Sequence, residues 1–271
     1  MESELKADSW LLVLDGDIAV LNPNTLIEQY IDPDYEITLF DRFFNFEVGA
    51  NSYLVKNTER GREFVQRFAD YEFKLPKRFH GTDNGALHVS RLFNQLQPYL
   101  VEYLVPPSDR RLNAVCLKVW RESKNYRNLY EMEVCTRLIF GDRTHFAEHK
   151  LRILSKGKAW VRDLWLLKSR WADDDFMVHA VKEKQLDKKR PPKKDIRDNL
   201  IYQWDPSRGN SRIFPMLQKL DVAKCEVGEE QWQFDSRLKI TNEKKAQLLN
   251  HMENTILKKR LDIIGKLSRK L

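Results

Sequence analysis

The stretch Trp10 to Pro23, WLLVLDGDIAVLNP, limits the fold more than any other part of the chain. Trp10 to Leu14 is an unbroken apolar run and predicts a buried strand. Asp15, Gly16 and Asp17 follow, and a second apolar run, Ile18 to Leu21, begins at once. Carboxylates near a core are costly unless something cationic meets them. Set between two apolar runs, this pair is expected at the mouth of a core, with Gly16 giving the backbone freedom for both side chains to converge. Two oxygen ligands one residue apart at a strand end suit a hard divalent cation such as Mg²⁺ or Mn²⁺. Asp-Gly-Asp is also good turn chemistry, and the three residues alone leave both readings open.

The rest of the first 180 residues alternates strand and helix signals. Asn22 is placed to cap a short helix with Pro23 at its first position and Leu26, Ile27 and Tyr30 on one face. Strands are expected at Glu36–Asp41 and Ser52–Val55. Thr58 is read as the cap of a helix with an apolar stripe of Phe64, Val65 and Phe68. A second helix is expected from about Asp83 to Leu96. Val115–Trp120 and Leu151–Leu154 read as short strands. Such alternation predicts an α/β layered fold.

Near Val181 the composition changes. Residues 181–271 carry 22 Lys/Arg against 13 Asp/Glu, leaving 25 against 27 for residues 1–180. The net charge of +7 therefore belongs to the tail. Residues 182–198 hold eight Lys/Arg and two prolines and read as a solvated linker. Contact with nucleic-acid phosphates is the rival reading of this run. Interleaved acids and missing aromatic residues argue against it, so no nucleic-acid partner is expected. Thr241 to Leu271 has the spacing of an amphipathic helix, with Leu248, Met252, Ile256 and Ile263 on one stripe. No stretch approaches the roughly 18 apolar residues of a membrane span, and no signal peptide or anchor is evident. Cys116, Cys135 and Cys225 lack metal-site spacing, and at most one pair can bridge.

His179 sits in DFMVHAVKEK at the end of another short apolar run. A lone histidine there is usually a packed, hydrogen-bonded one. Here it comes with the upstream carboxylate pair, and an imidazole completes a carboxylate site for Mn²⁺ well. Lys182, three residues on, is placed to neutralise a diphosphate.

Five pieces in order, WLLVLDGDIAVLNP, GANSYLVKNTERGREFVQRF, HGTDNGALH, KAWVRDLWLLKSRW and DDDFMVHAVKEK, carry a family resemblance over about residues 9–184. The chain resembles the nucleotide-sugar glycosyltransferases of the GT-A fold. More closely, it is similar to the nematode family catalogued as domain of unknown function 273, distantly similar to fungal and plant galactosyl, mannosyl and xylosyl transferases. The resemblance implies a GT-A-like domain over residues 1–184, truncated at its nucleotide-binding N-terminal portion, because only fourteen residues precede Asp15. A basic, partly helical extension would fill 185–271.

The implied activity is transfer of a hexosyl group from a nucleotide diphosphate sugar to a glycan or glycoconjugate, with retention of configuration as the family-level expectation. An inactive fragment or pseudoenzyme acting as a binding module is the alternative. Asp15, Asp17 and His179 would hold Mn²⁺ or Mg²⁺, and Asp15 and Lys182 would bind the donor. Asn51, Asp83 and Asn84 would face donor sugar and acceptor. Asp83 is also read as an ordinary helix cap, and Asn51 as a turn residue. Trp160, Trp165 and Trp171 suit a sugar-binding wall but are read first as core. The implied compartment is the Golgi or another secretory-pathway lumen.

Overall fold

The computed structural model describes residues 6–70, 90–92, 95–97, 110–181, 202–205, 210–213 and 236–269. The chain is a mixed α/β protein of two compact units, each assembled from separate stretches of sequence. Residues 1–14, 27–159 and 253–271 form the first; residues 15–26 and 160–252 form the second.

A five-stranded mixed sheet organises the first unit. Its strands are β1 (Trp10–Leu14), β3 (Ile37–Phe40), β4 (Ser52–Lys56), β7 (His145–Phe146) and β8 (Leu151–Leu154), in the order β1-β4-β3-β8-β7. β3 pairs in parallel with β8, and the other pairings are antiparallel. All four residues of β3 are buried, so this central strand shows no polar alternation. β1 is different from the buried strand its apolar sequence predicts. It lies at the end of the sheet order, with Leu11 and Leu14 exposed.

Helix α1 (Glu59–Ala69) follows β4, and Thr58 Oγ1 caps it by accepting from the Gly61 amide at 3.1 Å. It lays Phe64 against Tyr53 on β4. A methyl built on Gly61 would lie 2.0 Å from the Lys56 carbonyl oxygen, so only glycine lets the helix start this close to the strand. Ile37, Leu39, Val55, Phe64, Phe140, Phe146, Leu151 and Ile153 form the heart of the core.

Residues 115–120, expected as a strand, lie in helix α2 (Arg110–Glu122). Cys116, Val119 and Trp120 are buried, the i, i+3, i+4 pattern of one helix face. Helix α3 (Tyr126–Ile139) follows, and a disulfide joins Cys116 to Cys135. The helix expected over 83–96 is also corrected where it is described. Ser90–Leu92 (β5) and Gln95–Gln97 (β6) pair as an antiparallel hairpin. QLQ alternates polar and apolar with the period of two of a strand, and SRL lies opposite it in the hairpin.

In the second unit, β2 (Ile18–Val20), β9 (Val161–Asp163) and β10 (Met177–His179) form a three-stranded sheet in the order β2-β10-β9. Ala19, Leu164 and Val178 are its buried apolar cluster. Asn22 does not start a helix at Pro23. Its side-chain oxygen accepts from the Asn24 amide in a local turn, and the helical hydrogen bonding is a single 3-10 turn at Ile27–Tyr30. Tyr202–Asp205 (β11) and Asn210–Ile213 (β12) form a second hairpin.

The tail helix is present as α4 (Asn242–Ser268). Its Ile256, Ile263 and Leu267 are buried, continuing the expected stripe. Among the described residues, no helix is long and apolar enough to cross a membrane.

Candidate metal centre

The three-stranded sheet brings both ends of the matched sequence to one place. β10 pairs antiparallel with β2, setting His179 opposite Ile18, and pairs in parallel with β9, setting His179 beside Asp163. Asp15, Gly16 and Asp17 form the turn that enters β2, closed by the Ile18 amide donating to the Asp15 carbonyl at 3.2 Å. Past His179 the ladder ends with Ala180, whose φ of 75° is left-handed. That bend lets the Val181 amide donate to the Asp17 carbonyl at 2.9 Å. A non-glycine residue in this conformation costs about 1–2 kcal/mol, and it lies next to the candidate ligand.

Three side chains converge there. His179 Nε2 is 3.3 Å from Asp17 Oδ1 and 3.7 Å from Asp15 Oδ2. One ligand atom from each residue lies within 4.8 Å of the other two. Two ligands about 2.1 Å from an ion, at right angles, would be roughly 3.0 Å apart. The observed spacings are close to that edge, and two carboxylates with one imidazole make a donor set suited to Mn²⁺ or Mg²⁺. The residues therefore fit such an ion. Side-chain exposure is 43% at Asp15 and 18% at Asp17, so the cluster opens to solvent on the Asp15 side.

Two details were not anticipated from the sequence. Asp163, buried at the end of β9, has Oδ1 2.7 Å from His179 Nδ1. In the sequence AWVRD, Arg162 separates Asp163 from the apolar run, so no local signal marks it. The second detail corrects the role given to Gly16. Its φ is outside the left-handed region, and a methyl built there would meet nothing within 4 Å. Convergence of the two carboxylates comes from strand pairing and the closed turn, not from glycine's backbone freedom.

The other candidate residues are placed as follows. Asn51 precedes β4 in the first unit and is buried, with no hydrogen-bond partner for its Oδ1 among the described residues. Asp83, Asn84 and Lys182 lie outside the described residues. Trp160 is a core residue, 1% exposed, whereas Trp165 and Trp171 are half-buried.

The first unit has a cavity of about 90 Å³ lined by Asp41, Arg137, Asp142 and Arg260 among others. Arg137 pairs there with Asp41 and Arg260 with Asp142. Its volume is that of about three waters.

The fold and site thus define a mixed α/β protein with an Asp/Asp/His cluster at the end of a small sheet. A family model described as "Protein of unknown function, DUF273" matches residues 3–197, and the chain belongs to that family. No curated protein and no solved structure matches it.

Proposed function

We propose that this protein is a metal-dependent glycosyltransferase that moves a hexosyl group from a nucleotide diphosphate sugar to a glycan or glycoconjugate acceptor. The observation that carries the reading is the convergence of Asp15, Asp17 and His179 on one point open to solvent. Asp17 and His179 would hold Mn²⁺, or Mg²⁺, and Asp15 would reach both the ion and the donor ribose. The bound ion would supply Lewis-acid stabilisation of the diphosphate as the glycosidic bond breaks.

A methyl built on Gly16 would meet nothing within 4 Å beyond its chain neighbours, so the turn between the two carboxylates is not covered by another part of the chain. Lys182 would add positive charge at the diphosphate end of the donor. The Cys116–Cys135 disulfide is the chemistry of an oxidising compartment and supports a secretory-pathway lumen, the Golgi included.

The test is a panel of UDP- and GDP-hexoses with simple glycoside acceptors and Mn²⁺, followed by nucleoside diphosphate release. Release that requires Mn²⁺ and is lost in Asp17→Asn is the expected result. Mn²⁺-dependent donor binding without turnover would leave the acceptor as the missing element. A folded chain that binds no donor in the presence of Mn²⁺ would overturn the transferase reading in favour of the inactive alternative, which keeps the shell of the site without holding a donor.

A further inference from the structure

We propose that Asp163 is the positioning residue of this centre, holding the His179 ring so that Nε2 is the nitrogen presented to Asp15 and Asp17. The consequence for metal affinity rests on the metal-site reading above; the consequence for the ring itself does not. The two ring nitrogens face different groups. Nδ1 is 2.7 Å from Asp163 Oδ1, while Nε2 faces Asp17 and Asp15 at 3.3 and 3.7 Å. An ionised carboxylate only accepts hydrogen bonds. The Nδ1 position must therefore carry the hydrogen, which leaves the Nε2 lone pair toward the carboxylate pair whenever the ring is neutral.

The placement of Asp163 favours this role over an ordinary structural one. Asp163 occupies the cap position of the 3-10 turn Leu164–Leu167, where a carboxylate commonly accepts from a backbone amide. Its side chain makes no cap bond to that turn. It turns toward His179, its in-register neighbour across the parallel β9–β10 pair. The side chain is only 5% exposed, so the contact is shielded from water. Arg162 anchors the strand end, giving Nε and Nη2 to Asp175 at 2.9 and 2.6 Å. A carboxylate behind a histidine ligand fixes its tautomer and orientation, and loss of such a group typically weakens metal binding 10–100-fold.

The test uses the full chain with Asp163→Ala and the near-isosteric Asp163→Asn, each checked for a native melting transition. Two readouts are taken. Long-range ¹H–¹⁵N correlations of the metal-free protein, at a pH where the ring is neutral, report which nitrogen of His179 carries hydrogen. Calorimetry with Mn²⁺ alone reports affinity. The proposal expects hydrogen on Nδ1 in the wild type, a shift toward Nε2–H or a tautomer mixture in Asp163→Ala, and 10–100-fold weaker Mn²⁺ binding in that variant.

Asp163→Asn keeps the shape, and its amide oxygen still accepts, so it should fall between the two. It also carries the test if the alanine variant does not fold. Hydrogen on Nε2 in the wild type, or an unchanged tautomer with unchanged affinity in the variants, overturns the proposal. A wild-type chain that binds no Mn²⁺ yet shows the tautomer shift would overturn the metal reading and leave the positioning role of Asp163 standing.

Discussion

Buried charge is handled differently in the two units. In the first, Glu133 of α3 accepts from the Phe46 amide at 3.2 Å and lies beside Glu47. Burial, reinforced by Glu47, pushes its carboxyl well above the usual range. Lys156 donates to the Arg42 and Asn45 carbonyls, and burial lowers its ammonium from 10.5 to about 8. Glu47 pairs with Arg42. These groups close on one another and brace the 41–47 loop.

In the second unit, Asp15, Asp17 and His179 meet where Asp15 is open to solvent, over an apolar cluster centred on Ala19, Leu164 and Val178. The first unit's charges are enclosed within its core, whereas the second unit, beside its own enclosed Arg162–Asp175 pair, leaves a candidate ligand cluster open to solvent.

Breaking the first unit should give the largest effects on stability. Replacing both Cys116 and Cys135 by serine removes a crosslink between positions 19 residues apart. The loss should be about 3 kcal/mol, read as a lower denaturation midpoint with a steeper slope, because the chain without the crosslink unfolds to a more expanded state. A melt identical with and without reductant would show that the bridge contributes nothing. Gly61→Ala comes next. The methyl would sit 2.0 Å from the Lys56 carbonyl, so α1 must shift, at about 1–3 kcal/mol. Wild-type stability in this variant would mean that α1 does not approach β4 as described.

A pH effect should mark the second unit. Desolvation pushes the Asp175 carboxyl upward. The Arg162 hydrogen bonds and charge, with Lys245 and the Ala172 amide, outweigh it and hold the group below its ordinary 3.8. A depressed folded pKa adds stability that is present above the unfolded value and lost as pH falls through the folded one. Acid melts of wild type should therefore lose stability below about pH 4, and Asp175→Asn should flatten that limb. An unchanged acid limb would show that the Arg162–Asp175 pair contributes nothing there. The smallest effect is expected at Gly16→Ala, with a melt within about 0.5 kcal/mol of wild type. A large destabilisation would restore the conformational role that the backbone at Gly16 does not show.

Much of this was legible in the sequence wherever one local signal decided the matter. β1, β4, β8, the Thr58 cap and the tail helix follow from apolar runs, spacing and capping chemistry. Residues 115–120 differ from the strand expected there because a six-residue stretch, apolar but for Lys118, does not separate strand from helix; burial of Cys116, Val119 and Trp120 does. The exposed edge of β1 was hidden because an apolar run does not say how many neighbours a strand has. Asp15, Asp17 and His179 were identifiable as strand-end groups. Asp163 was not singled out, because its importance lies in a parallel register with His179 that only the folded sheet displays.

Calorimetric titration of the full chain with Mn²⁺, beside Asp17→Asn, tests the central claim most directly. Asp17 Oδ1 is the carboxylate oxygen nearest His179 Nε2, at 3.3 Å, and its replacement leaves the β2–β10 pairing intact. The account predicts one saturable site in the wild type and on the order of 100-fold weaker binding in the variant, about 2.7 kcal/mol. Equal binding by the two proteins, or none by the folded wild type, would contradict it.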